Sequence, residues 1–148
     1  MTMSVEEKED LRIAISKNRI TESGLRMTAA RRQLIEILAE SERPLSVEDL
    51  SQRSKGNFDL VTIYRNLEVF RDVGIVEVIL LENGKNLFVL TGEHDHSHHI
   101  VCRHCLKTER IEFCMGGELE RYASSRGYSN LSHTIEVFGE CAECEAKS

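Results

Sequence analysis

Two Cys-x-x-Cys pairs, Cys102–Cys105 and Cys141–Cys144, constrain this chain more than any other feature. Two residues between cysteines let both sulfurs reach one ion at about 2.3 Å, so the pairs together can supply a complete tetrahedral shell for zinc. The 35 residues between the pairs can hold a strand, a helix and a strand, so a bound zinc would pin the last strand to the first. Four sulfurs leave no open coordination position. The expected site is therefore closed and structural, and its metal-binding energy counts as folding energy. The bland alternative is four unrelated buried thiols. Five cysteines, an odd number, do not suit a simple disulfide framework.

Directly before the first pair runs a histidine-rich stretch, and His94, His96, His98 and His99 are four of the six histidines in the chain. They are too many for a shell that sulfur already fills, so they suggest a second metal site. Asp95, Glu112, Glu120 and the distant His133 could join them. In an extended segment His96 and His98 point to one side and His99 to the other, which could feed two different sites. Mixed imidazole and carboxylate ligands suit zinc, ferrous iron, manganese or nickel. A solvated histidine-rich loop is the bland alternative. Cys114 is left over: by default a buried hydrophobe, otherwise a ligand of the second site or a redox-reactive thiol.

A chain of 148 residues, 41% hydrophobic and 30% charged, reads as an ordinary globular protein of one domain or two small ones. No apolar run approaches the length of a membrane span, and the N-terminus lacks the basic start and apolar core of a signal peptide. The expected location is the cytoplasm, with no membrane partner, where reduced cysteines favour metal over disulfide. A net charge of −6 alone counts against nucleic-acid binding. The charge is uneven, however: residues 1–76 carry net −1 and residues 77–148 net −5. The acidic half is the half that would hold cations. The near-neutral half would approach DNA with local positive charge.

That near-neutral half has its own pattern. Residues 4–18 predict a helix with a short stripe of Leu11, Ala14 and Ile15. Thr28 N-caps a second helix carrying Ala30, Leu34, Ile37 and Leu38 at helical spacing, and Pro44 ends that stretch. Ser46 caps a short third helix with Val47 and Leu50 inward, and Asp49 loosely echoes a capping box. Asp59 starts a further helix with Leu60, Ile63, Leu67 and Phe70 on one face. Tyr64 and Arg65 lie about 130° away at 100° per residue. Gly74 closes it. Two β-rich runs, 75–81 and 86–91, are joined through Asn83-Gly84, a strong hairpin signal. Helices followed by a two-stranded wing predict a winged helix-turn-helix, preceded by one extra N-terminal helix. Composition then shifts to His and Cys. The expected organisation is α+β: a winged-helix DNA-binding domain over 1–91 and a small α/β dimerisation domain with a four-cysteine zinc site over 92–148. In the second domain, runs 99–103 and 107–113 predict paired strands, 117–127 a short helix and 131–139 a third strand carrying His133.

The stretches GLRMTAARRQLIEIL, LSVEDL, LVTIYRNLEVFRDVGIVE, HDHSHHIVCRHC and SHTIEVFGECAEC resemble the ferric-uptake-regulator family of metal-dependent repressors, most of all its zinc uptake branch. The resemblance covers nearly the whole chain. It implies a homodimer on double-stranded operator DNA, a structural Zn2+ on Cys102, Cys105, Cys141 and Cys144, and a regulatory divalent metal, Zn2+ or Fe2+, near the hinge. Carried over by position, it places Arg26 in the minor groove and Thr62, Tyr64 and Arg65 among the DNA-binding residues. It gives Glu120 and His133, with His96 or His98, to one regulatory site, and leaves Glu77, His94, His99 and Glu112 as further candidates. The chain also departs from the family. Pro44 stands where iron-sensing members often carry a histidine ligand, and Val89 where they often carry a glutamate. Glu77 falls where zinc-sensing members carry a ligand, while Thr91 replaces the cysteine such members often use. The histidine stretch is one residue longer than usual, and Glu120 to His133 is shorter by about one helical turn. These features favour zinc sensing, with iron or peroxide sensing close behind. A rival of another class is a zinc-dependent hydrolytic enzyme, but the H-x-E and P-C-x-x-C signatures of zinc deaminases are missing.

Overall fold

A computed structural model describes residues 2–91, 98–111 and 113–147. The fold is α+β, in the order α1 (Val5–Glu22), α2 (Ala29–Glu40), α3 (Val47–Arg53), α4 (Leu60–Asp72), β1 (Val76–Leu80), β2 (Asn86–Leu90), β3 (His98–Cys102), β4 (Thr108–Ile111), α5 (Gly116–Ser125), β5 (Glu136–Gly139) and α6 (Ala142–Lys147). The chain divides into two compact units, Met1–His96 and Ser97–Ser148.

The first unit is a winged helix, and its helix starts follow from local chemistry. Ser4, Thr28, Ser46 and Asp59 each accept a hydrogen bond from the backbone N–H three residues on. This satisfies donors that the first turn cannot pair internally. At Ser46 the box is complete, because the Asp49 carboxylate also accepts from the Ser46 N–H at 3.0 Å. Gly74 takes φ +78° just after α4, the left-handed step that ends a helix without a Cβ penalty. The wing pairs β1 and β2 antiparallel, Val76 opposite Leu90, around a turn where Gly84 adopts φ +86°. Leu45 and Phe88 exchange two backbone bonds of 2.8 and 2.9 Å, so the segment between α2 and α3 adds a third rung to the wing.

Ile20, Leu34, Ile35, Leu45, Leu50, Ile63, Phe70 and Leu90 are wholly buried in one core. The periodicity of α4 holds for Ile63, Leu67 and Phe70, but Leu60 is 47% exposed. Asn66 completes the buried face instead, its amide bonded to the Thr62 carbonyl at 2.8 Å and to Arg31 Nε at 3.2 Å. The α1 stripe also differs from expectation. Leu11 and Ala14 are exposed, whereas Ser16 and Ile20 are buried and Ile13 packs on the core. The helix runs four residues past residue 18, and only that extra length brings Ile20 inward.

The second unit is a three-stranded sheet in the order β4-β3-β5, with β3 antiparallel to β4 and parallel to β5. β4 returns the chain to the starting end of β3, and the connection carrying α5 takes it past β3 to β5. β5 is shorter than the predicted run 131–139, so His133 lies in the irregular approach to the strand rather than on it. The short closing helix α6 was not predicted.

The two readings of α1 separate experimentally. Ile20→Ala should lower unfolding free energy by about 2–5 kcal/mol, as for other buried large-to-small changes. Leu11→Ala should change it by less than about 0.5 kcal/mol. Urea titrations followed by far-UV circular dichroism measure both, and the reverse ranking would restore the sequence-derived stripe.

Candidate metal centres and nucleic-acid interface

The four cysteines meet because two strand ends meet. β3 ends at Cys102 and β5 at Gly139, and these two residues are register partners. Cys141 follows two residues later and Cys144 sits in α6. The Cys102–Cys105 turn is closed by Leu106 N–H on the Cys102 carbonyl at 3.0 Å, and Arg103 N–H reaches the Gly139 carbonyl at 2.8 Å. Leu106 takes φ +62° there, a left-handed position that side chains seldom adopt. All four sulfurs lie within 4.8 Å of one another. Cys105 and Cys141 stand 3.7 Å apart, close to the roughly 3.8 Å edge of a tetrahedron with 2.3 Å zinc–sulfur bonds. The donor set fits a structural zinc ion.

The electrostatics agree. Backbone N–H groups of Cys105 and then Cys141 pull the Cys102 thiol down to about 6. Hydrogen bonding to the Cys141 sulfur, followed by burial, pushes Cys144 up to about 12. Crowded thiolates repel, so full ionisation of the four requires a cation among them.

A second cluster lies in the same unit. His98 Nε2 and His133 Nε2 each stand 3.1 Å from Cys114 Sγ and 3.3 Å from each other. His98 comes from the start of β3 and is buried; Cys114 precedes α5 and is exposed, so it is not the buried hydrophobe expected by default. Glu120, on α5, bonds His133 Nδ1 at 2.8 Å. That nitrogen is on the far side of the ring from the cluster, so Glu120 orients His133 from behind. Gly116 explains how α5 approaches so closely: a Cβ there would come within 2.1–2.6 Å of the His133 ring. His99 is buried on β3 and is not among the three clustered ligands. Glu77 lies on β1 in the other unit. His94, His96, Asp95 and Glu112 fall outside the described residues. Sequence reasoning left Cys114 open among three roles and did not commit it to the site. Its contacts span 16 and 19 residues, and no local spacing announces them.

The third candidate is the exposed face of α4. Val61, Tyr64, Arg65 and Glu68 all face solvent, opposite the buried stripe, and Thr62 is half-buried. Asp59, capping this helix, has its carboxyl held below the usual carboxylate range by its hydrogen bonds from Thr62. Arg26 is exposed ahead of α2, and its carbonyl accepts a bond from the Arg31 guanidinium.

Cys141→Ser leaves three sulfurs where the geometry provides four. Zinc content should fall by one ion per chain and the second unit should lose cooperative unfolding, because binding energy at such sites is on the order of 10 kcal/mol. Metal analysis combined with thermal unfolding checks this. A folded, zinc-free second unit would show that packing alone holds the strands.

The model of the ferric uptake regulator family matches residues 22–138. A ferric uptake regulation protein of Staphylococcus epidermidis is 31% identical over 133 residues, covering 87% of this chain and 93% of its own length. A zinc uptake regulation protein of Mycobacterium tuberculosis is 32% identical over 125 residues, covering 82% and 93%. In fold, the chain superimposes on a zinc uptake regulator complexed with zinc and DNA, with a TM-score of 0.74 at 19% identity, covering 94% of this chain and 96% of that one. No helix among the described residues is long and apolar enough to cross a membrane. The chain therefore belongs to the ferric uptake regulator family of metal-responsive, DNA-binding transcriptional regulators.

Proposed function

We propose that this chain is a zinc-responsive repressor of metal-uptake genes that binds operator DNA as a metal-loaded homodimer. One observation carries the regulatory part of this reading: a second group of ligating side chains, His98, Cys114 and His133, beside a four-sulfur site that already meets the structural need. Identities of 31% to an iron regulator and 32% to a zinc regulator do not choose the metal. The sequence supports zinc: SHTIEVFG follows the zinc branch, Glu77 stands at a zinc-branch ligand position, and Pro44 replaces a histidine of iron sensors.

The homodimer is supported by what the second unit leaves uncovered. Ile100 and Val137 on neighbouring strands are 44% and 47% exposed, and Phe113 and Met115 more so. Together with Ile111 and Ile135 they line a depression of about 450 Å3. An apolar sheet face on so small a unit fits a second copy of the same face, since two-fold interfaces are self-complementary. In this reading residues 1–91 bind DNA and residues 92–148 dimerise and hold metal. Metal would fix the spacing of the two winged helices to match two operator half-sites. Arg65 would bond a guanine edge or a phosphate, Tyr64 a thymine methyl, and Arg26 the minor groove, with Thr62 at the start of the same helix.

Two substitutions separate reading from sensing. Arg65→Ala should lose operator binding with metal content unchanged. His133→Ala should keep the structural zinc and the dimer but lose the metal-dependent gain in DNA affinity. Mobility-shift titrations with added zinc, run at fixed salt, measure both. Identical zinc responses of wild type and His133→Ala would remove the second cluster from the switch.

A further inference from the structure

We infer that Cys114 is a direct sulfur ligand of the regulatory metal, completing a set of one thiolate and two imidazoles with His98 and His133, and that its thiolate makes the site select thiophilic divalent cations over manganese and ferrous iron. The inference rests on the regulatory reading of this cluster and adds to it the one donor that neither sequence spacing nor family position assigned.

Four features place the sulfur as a ligand rather than a bystander. Its distances to the two imidazole nitrogens, 3.1 Å each, close a triangle whose third side is 3.3 Å. For comparison, on one tetrahedral zinc with bonds of 2.0–2.1 Å to nitrogen and about 2.3 Å to sulfur, two nitrogens stand about 3.3–3.4 Å apart and a nitrogen and a sulfur about 3.6 Å, so the imidazoles already stand at ligand spacing and the sulfur withdraws by about 0.5 Å to admit the ion. The Gly116 N–H donates to Cys114 Sγ at 3.2 Å, which fixes the position of the sulfur. Glu120 bonds the Nδ1 side of His133, so the tautomer with Nδ1 protonated leaves the Nε2 lone pair facing the sulfur. This is the outer-shell carboxylate–histidine arrangement that raises ligand basicity at metal sites. Finally, Gly116 removes the Cβ that would meet the His133 ring, so the backbone of α5 permits the approach.

The chemistry follows from donor type. Oxygen-rich sites suit Mn2+ and Mg2+, whereas one thiolate and two imidazoles favour Zn2+ and Co2+. With the Glu120 carboxylate on the outer side of His133, sulfur is the anionic donor among the described ligands of this cluster.

The test uses the full-length protein with its four-sulfur zinc in place, confirmed by metal analysis before and after each titration. Co2+ is then added to wild type, Cys114→Ser, Gly116→Ala and His133→Ala. Wild type should bind one further equivalent per chain with a near-ultraviolet sulfur-to-cobalt charge-transfer band. Cys114→Ser should still bind cobalt but lose that band. Its Zn2+ affinity should fall by about tenfold or more, while its Mn2+ affinity shifts by less than about threefold. Gly116→Ala removes no donor, yet should weaken the same equivalent by displacing His133. A charge-transfer band that survives in Cys114→Ser, or a wild-type equivalent that binds without one, overturns the sulfur ligand. If the wild type takes up no further equivalent, or His133→Ala titrates identically, the regulatory site itself is wrong, and the failure belongs to that reading rather than to Cys114.

Discussion

The second unit depends on four sulfur atoms meeting at one point. Among its described residues Val101 is the one fully buried aliphatic side chain; His98, His99, Cys102 and Gly116 complete the buried set. A sheet of three strands with so little apolar interior cannot hold itself together by burial, which is the usual condition of domains this small. Beyond its ladder hydrogen bonds, the closure of Cys102 and Cys105 at the end of β3 onto Cys141 and Cys144 beyond β5 ties these two strands together. The parallel register of β3 and β5 delivers these residues to each other, and a zinc ion there locks that register in return. The first unit is the opposite case: at least eight wholly buried large side chains form a continuous core, and no ion is needed to explain its stability.

What could be read from the sequence follows the same division. Helix caps and turns are local, so Thr28, Ser46, Asp59, Gly74 and the Asn83-Gly84 turn announced the winged helix correctly. The Cys-x-x-Cys pairs were equally plain, because two-residue spacing carries its own chemistry. Ambiguity entered wherever a partner surface had to choose. In α1, Leu11–Ala14–Ile15 and Ile13–Ser16–Ile20 both satisfy helical spacing, and only packing against the core selects the second. In α4 a polar residue, Asn66, takes an inward position because Arg31 and the Thr62 carbonyl satisfy its amide. The second cluster was half legible: Glu120 and His133 were assigned to it with His96 or His98 as the alternative third ligand, while Cys114 stayed one of several open readings. Its neighbours are brought to it by the β3–β4 pairing and the turn into α5, long-range facts with no periodic trace.

The two clusters differ in the property that decides whether metal can carry information. The four-sulfur site offers a complete anionic shell, so an ion held there leaves only at great cost to the fold. A protein with that site alone would report nothing about metal supply over physiological ranges. Among the described residues the His98–Cys114–His133 group contributes three donors, and Cys114 and part of His133 reach the surface. Three donors with an exposed edge allow exchange with the surroundings, which a sensor requires, because occupancy must follow free metal.

A sensor also needs metal binding to bias one structural state over another, since a ligand with equal affinity for both shifts nothing. The placement of the three donors suits this. His98 opens β3, the central strand of the sheet; Cys114 ends the connection from β4; His133 precedes β5. Each donor thus sits at a strand end or a connecting segment rather than inside a rigid element. Drawing them together would order the joints of the sheet while leaving its hydrogen-bonded register intact. His98 also lies at the start of the second unit, which begins at Ser97. A metal that fixes His98 therefore fixes the start of the sheet's central strand.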